Sequence, residues 1–188
     1  HHSNNECTEY PTEIEIPELN AMRQAHSIII VSEMANAVNK HKLGLEQFGF
    51  PTRINLEIGN YFTAADYVHA LRMRTRAYQI FHDIFSKVDV IITPSTAITA
   101  PSFPKKYESC GYSDLSTVIE IMRYAFPANL IGIPAISIPV GYDRKGLPIG
   151  MQIMTRHFKE DVLLGFSMLL EQTLSLHTPA QYVDILHA

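Results

Sequence analysis

Apolar and polar positions alternate in "TEIEIP", Thr12 to Pro17, where Ile14 and Ile16 stand against Glu13 and Glu15. This is the period of a half-buried strand closed by proline. The interval then lengthens. Leu19, Met22, Ile29, Ile30, Met34, Ala37 and Val38 recur at helical spacing to about Lys40, with His26 near the stripe as a packed or hydrogen-bonded side chain. From Leu43 to Tyr61, three glycines and Pro51 break the pattern into loop and short helix. "TAAD", Thr63 to Asp66, has the form of a capping box, and the long helix it opens puts Val68, Leu71, Tyr78, Phe81, Ile84 and Phe85 on its apolar face. Arg72, Arg74 and Arg76 stand mostly off that face and read as solvated or ion-paired.

"VDVIITPSTAITAP", Val88 to Pro101, opens with β-branched residues and meets Pro94, the pattern of a fully buried strand. Ligands of α/β sheets gather beyond such strand ends, and the small Ser95, Thr96, Ala97 and Thr99 leave room for one. After a loop from Ser102 to Asp114, the stripe Leu115, Val118, Ile119, Met122 and Phe126 predicts a helix that Pro127 should end or kink. "NLIGIPAISIPVGYDRKGLPIGMQIM", Asn129 to Met154, is apolar but interrupted by three prolines and four glycines. It parses as buried strands over Ala135 to Val140 and Ile149 to Met154 with the polar turn "YDRKG" between them, so that the two form a hairpin or neighbour one another, with each proline at a strand boundary. Gly132 and Gly150 imply close backbone approach. A last helix is expected from Glu160 to about Ser175. The pattern is α/β, and residues 1–188 show no internal boundary, repeat or low-complexity segment.

A chain of 188 residues that is 46% apolar can bury one sizeable core. The net charge of -4 is scattered, so there is no basic footprint and no nucleic acid is expected as a partner. Cys7 and Cys110 are too few for a disulfide framework, which suggests a reducing compartment. No apolar run approaches the ~20 residues that span a bilayer. The nine histidines and two cysteines show no ligand spacing, so neither metal nor cofactor is expected. Of the hydroxyls, Ser95 reads as bonded to nearby backbone at a strand end, and Ser137 as core with its hydroxyl paired. Ser102 and Lys105 match a Ser-x-x-Lys spacing, but Pro101 and Pro104 fit a loop, and the Ser-Asp-Asn and Lys-Thr-Gly elements that accompany it in penicillin-recognising hydrolases are missing.

"DVIITPSTAITAP" followed by "NLIGIPAISIPVGYDRKGLPIGMQIM" resembles the C-terminal half of the amidase signature family, in which a strand ending in Thr-Pro precedes Asn-Leu-x-Gly-x-Pro-Ala-x-Ser-x-Pro and Gly-Leu-Pro-x-Gly-x-Gln. The likeness extends from "IPEL" to "YVDIL", and "FTAADY", "IMRYAF" and "IPVGYD" are most similar to plant-type fatty acid amide hydrolases. The resemblance implies an α/β/α sandwich with a mixed sheet. It also implies a hydrolase that cleaves amides with a serine nucleophile, a serine in a cis peptide and a lysine base, all in the N-terminal half around a Gly- and Ser-rich signature. This chain has neither a Gly-Gly nor a Ser-Ser dipeptide, so no catalytic residue is carried over to it.

The expected role is therefore the substrate-channel and scaffold half of a serine amidohydrolase, inactive alone. Its partners would be the N-terminal half and an acyl amide substrate, in an intracellular enzyme peripheral to membranes. Ile58, Phe62, Val118 and Met122 would line the acyl channel by resemblance, and packing of Phe62 on Tyr67 as a hydrophobic staple is the competing account of Phe62. The alternative is a truncated, non-catalytic protein that binds lipid amides or another protein. A sheet cut short exposes an edge, so association with the missing half or as a homo-oligomer is expected.

Overall fold

The computed structural model describes residues 11–41, 43–107, 112 and 114–174. Cys7, Cys110 and the "YVDIL" segment lie outside them. In chain order the elements are α1 (Leu19–Lys40), α2 (Phe50–Tyr61), α3 (Ala64–Phe85), β1 (Val90–Pro94), α4 (Leu115–Ile121), α5 (Phe126–Ile131), β2 (Ala135–Tyr142), β3 (Pro148–Thr155) and α6 (Glu160–Thr173), with single 3-10 turns at Leu45–Gln47 and Lys105–Tyr107.

No strand forms over Thr12 to Pro17. Ile14 and Ile16 are half-buried against the helical core while their glutamates are exposed, so the alternation is real but has no ladder partner. Glu18 then enters α1 in a left-handed conformation, and its carboxylate takes both the Nε and Nη2 protons of Arg76 on α3. One of the three arginines is thus ion-paired, and Arg72 and Arg74 are exposed.

α1 is the hub, packing on α2, α3 and α5. Against α2 the approach is close: a Cβ on Gly59 would lie 2.5 Å from the Val31 carbonyl oxygen and 2.8 Å from the Ala35 Cβ, so only glycine fits that crossing. α3 begins with the expected capping box, Thr63 Oγ1 accepting from Asp66 N at 3.2 Å and the Asp66 carboxylate accepting from Thr63 N at 2.8 Å. Tyr67 donates its hydroxyl to Glu33 and so ties α3 to α1. Met22, Ala25, Ala77, Phe81, Phe126, Ile131 and Met154 form the main core between these helices and one sheet face.

The sheet has the order β1-β3-β2 with both pairings antiparallel, although a mixed sheet is expected of the whole fold. Met154 faces the helical core, so Ile153 beside it faces the other side, where α6 packs on β2 and β3. The layers are helices, sheet and helix, an α/β arrangement as expected. Among the described residues β1 and β2 are the edge strands and only partly buried, so β1 is not the fully buried strand expected and β2 is less buried than expected.

The prolines divide. Pro134 precedes β2, Pro94 ends β1 and Pro148 opens β3, but Pro139 lies inside β2, where an edge position and a bulge at Val140 remove the need for its missing N–H. Pro127 begins α5 instead of ending the helix before it, since its fixed φ suits a first turn where the N–H has no partner. Gly132 caps α5 at φ 75 with nothing near a would-be Cβ, so it serves conformation and not close approach.

Candidate functional site

At the C-terminal end of β1 the ladder continues one rung past Pro94, with Ser95 N donating to the Gly150 carbonyl at 2.9 Å. Thr93, Gln152 and Ser137 then form one row across the three strands, and Ser95 and Pro139 flank Gly150 in the next. These residues share the face that carries Met154. Near Met154 the helices cover it; at Ser137 it is exposed.

Two hydrogen-bonded groups occupy this end of the sheet. Gln152, buried to 8% exposure, donates from Nε2 to Thr93 Oγ1 at 3.1 Å and to the Tyr124 carbonyl at 2.8 Å, which fixes the segment between α4 and α5 over the sheet. Ser95 Oγ and Ser137 Oγ lie 2.5 Å apart. The expectation that Ser95 bonds nearby backbone fails for its hydroxyl, and Ser137 is not core, although its hydroxyl is paired as expected. Gly150 makes the pair feasible: a Cβ there would sit 2.7 Å from Ser95 Oγ and 3.0 Å from Ser137 Oγ. Close approach at Gly150 is as expected. Gln152 carried no expected role, yet a polar residue inside the apolar run "IGMQIM" was a signal, because a buried amide must find partners.

The loop beyond Ser95 is tied at three points. Thr96 Oγ1 donates to the Ile98 carbonyl, Ala97 N to the Glu120 carbonyl of α4, and Thr99 Oγ1 to Asp143 in the β2–β3 turn. Asp143 also accepts from Leu147 N and Lys145 N, and those hydrogen bonds, the Leu147 one first, hold its carboxyl below the ordinary carboxylate range. Gly146 at φ 80 closes that turn.

Chemically this end of the sheet can bind but is not armed. Among the described residues no histidine, lysine or carboxylate bonds Ser95 or Ser137, so neither hydroxyl has the adjacent base that nucleophilic attack requires. Whichever serine accepts in the pair keeps its own proton for a ligand. Ser102 lies in irregular chain and Lys105 starts a 3-10 turn, both exposed, so the α-helical turn needed for a Ser-x-x-Lys pair is not formed. Among the described residues no group of three histidine, cysteine or acidic side chains could hold a metal, and no helix is long and apolar enough to cross a membrane.

The four apolar residues expected to line a channel occupy two places. Ile58 on α2 is 45% exposed and Phe62, half-buried, joins α2 to α3; Val118 and Met122 are 44% and 37% exposed at α4. The principal packing of α2 is on α1. α4 buries none of its residues. Its Leu115, Val118 and Met122 form an uncovered apolar stripe, held in place by the Asp114 cap, whose carboxylate accepts from Ser116 N and Thr117 N. His26 is buried against Phe126 with Nε2 unpartnered, so it is packed but not hydrogen-bonded through that atom.

Residues 10–164 match the model of the family described as Amidase. The chain is 42% identical over 181 residues to a fatty acid amide hydrolase of Medicago truncatula, covering 94% of this chain and 30% of that protein. It is 39% identical over 178 residues to the fatty acid amide hydrolase of Arabidopsis thaliana, covering 93% and 29%. A solved amidase structure superposes with a TM-score of 0.75 at 23% identity over 87% of this chain and 37% of that one. The chain thus spans about 30% of the length of these curated relatives.

Proposed function

Because the chain belongs to the amidase family, we propose that it supplies the substrate-side wall of an enzyme that hydrolyses fatty acid amides. The observation that carries this reading is the likeness to plant fatty acid amide hydrolases along nearly the whole chain. The nucleophile is contributed from sequence carrying the family's Gly- and Ser-rich signature, which is absent from these 188 residues. In this reading Ser95, Ser137 and Gln152 form the polar floor at the strand end, and α4 and the α2–α3 junction offer apolar surface to the acyl tail through Ile58, Phe62, Val118 and Met122.

The exposure of α4's apolar stripe leaves that surface available to an acyl tail or to the rest of the enzyme. A methylene moved out of water contributes about 0.8 kcal/mol, so an acyl chain gains substantially by lying on such a surface.

A chimaera tests the reading. The Medicago truncatula enzyme carries this chain in place of its matching 181-residue segment, and long-chain acyl amide turnover is measured beside that of the chain alone. An active chimaera and an inactive, probe-unlabelled isolated chain are expected, the probe being a serine-reactive fluorophosphonate. A folded but inactive chimaera would favour the non-catalytic binding protein, and stoichiometric labelling of the isolated chain would place a nucleophile within it.

A further inference from the structure

The end of the sheet opposite Ser95 holds a concavity. Thr155 pairs with Val90 at the start of β1, so Arg156, His157 and Phe158 leave β3 at the far edge from the Ser95–Gly150 rung. There they enclose a cavity of about 360 Å³ against the last turns of α3 and the end of α5. Its floor is Phe81, Phe85, Ile131 and Ile133, all buried. Tyr78 and His157 form a wall, their rings 5.0 Å apart and tilted by 38°.

The wall is fixed and the mouth is charged. His157 Nε2 lies 3.0 Å from the Ile131 carbonyl, and because a carbonyl only accepts, that nitrogen donates to a helix-end oxygen left without an intrahelical partner. The connection is thereby clamped onto α5. Arg156 at the rim is exposed and has no ion-pair or hydrogen-bond partner among the described residues. His82, also at the rim, lies 3.6 Å from the Asp83 carboxylate, whereas Arg156 has no such neighbour among the described residues. Phe158 is 89% exposed and sits at φ 60, a conformation that bulky side chains avoid. Neither the ring's exposure nor its backbone is explained by packing within the chain.

We propose that this cavity binds an arylalkanoate, a carboxylate on a short chain ending in an aromatic ring. The guanidinium of Arg156 takes the carboxylate in a fork of two N–H donors. The ring lies among Tyr78, Phe81 and Phe85, where edge-to-face contacts are available, and Phe158 closes over it. The volume is at the low end of the ~300–1,000 Å³ typical of small-molecule sites, which suits one ring and a short tether.

Calorimetric titration of the purified chain with 4-phenylbutyrate, 4-phenylbutan-1-ol and 4-phenylbutylammonium tests this. The carboxylate should bind about tenfold or more tightly than the alcohol, and the ammonium more weakly still. Arg156→Gln should reduce the carboxylate to the alcohol's affinity and leave the alcohol unchanged. Phe158→Gly should weaken both. Both residues are exposed, so the far-ultraviolet circular dichroism of each variant should match the parent. Absence of 4-phenylbutyrate binding, equal binding of the ammonium, or full carboxylate affinity in Arg156→Gln overturns the proposal.

Discussion

Replacing Gly150 with alanine tests the geometry of the strand-end floor. The backbone of Gly150 is not left-handed, so alanine is conformationally admissible and the only obstacle is space. The new methyl would fall 2.7 Å from Ser95 Oγ, 3.0 Å from Ser137 Oγ and 3.0 Å from Ser95 Cβ. Overpacking of this kind costs about 1–3 kcal/mol. Parting the two hydroxyls adds about 0.5–1.5 kcal/mol, and the stiffer unfolded chain returns about 0.4–1 kcal/mol. Taken at their midpoints these give a net loss of roughly 2 kcal/mol, which lowers Tm by roughly 4–8 °C for a chain of this size. Urea and thermal unfolding followed by circular dichroism measure it. The double variant Gly150→Ala, Ser95→Gly removes both crowded Ser95 atoms and should recover at least half of the loss. If Gly150→Ala is as stable as the parent, or if the second change recovers nothing, the close approach described here is not what requires glycine.

Ile58→Ala or Phe62→Ala in the complete enzyme should lower kcat/KM for long-chain amides by about 1–3 kcal/mol and spare short ones; an equal loss for both would refute a channel role. Because Ile58 is 45% exposed, its variant should keep the parent's Tm within about 1–2 °C. His26 has its pKa lowered by burial, so the folded state binds its proton less readily than the unfolded state. Stability should therefore fall as pH drops from the ordinary 6.5 through the lowered value, and His26→Leu should flatten that slope in pH-dependent unfolding. Asp143 is also lowered, so its contribution is present above the ordinary 3.8 and lost as pH falls through the lowered value; Asp143→Asn should make acid unfolding less steep in the same assay.

The features legible in the sequence are those set by local chemistry. The α1 limits, the Thr63–Asp66 box and the β2–β3 hairpin each depend on residues within a few positions of one another, and they stand where the pattern puts them. What was not legible depends on neighbours distant in sequence. Ile14 and Ile16 alternate as a strand would, but burial against helices produces the same period without a ladder. Pro127 has the same φ whether it stops a helix or starts one, and only the turn formed after Ile121 decides. Ser137 sits in an apolar run, yet its strand is an edge and its row is uncovered. The Ser95–Ser137 pair spans 42 positions and needs the β1-β3-β2 order, which periodicity does not encode.

That strand order also has a consequence during synthesis. The central strand in space is the last of the three to leave the ribosome, so among the described residues β1 and β2 have no sheet partner until Pro148–Thr155 emerges. α1, α2 and α3 pair with one another earlier, and their apolar faces wait for Met154 to complete the layer beneath them. A nascent chain stopped between β2 and β3 is therefore not a slightly shorter version of the fold. It is a helical assembly in which β1 and β2 lack the strand they share among the described residues, and each is open to pairing elsewhere.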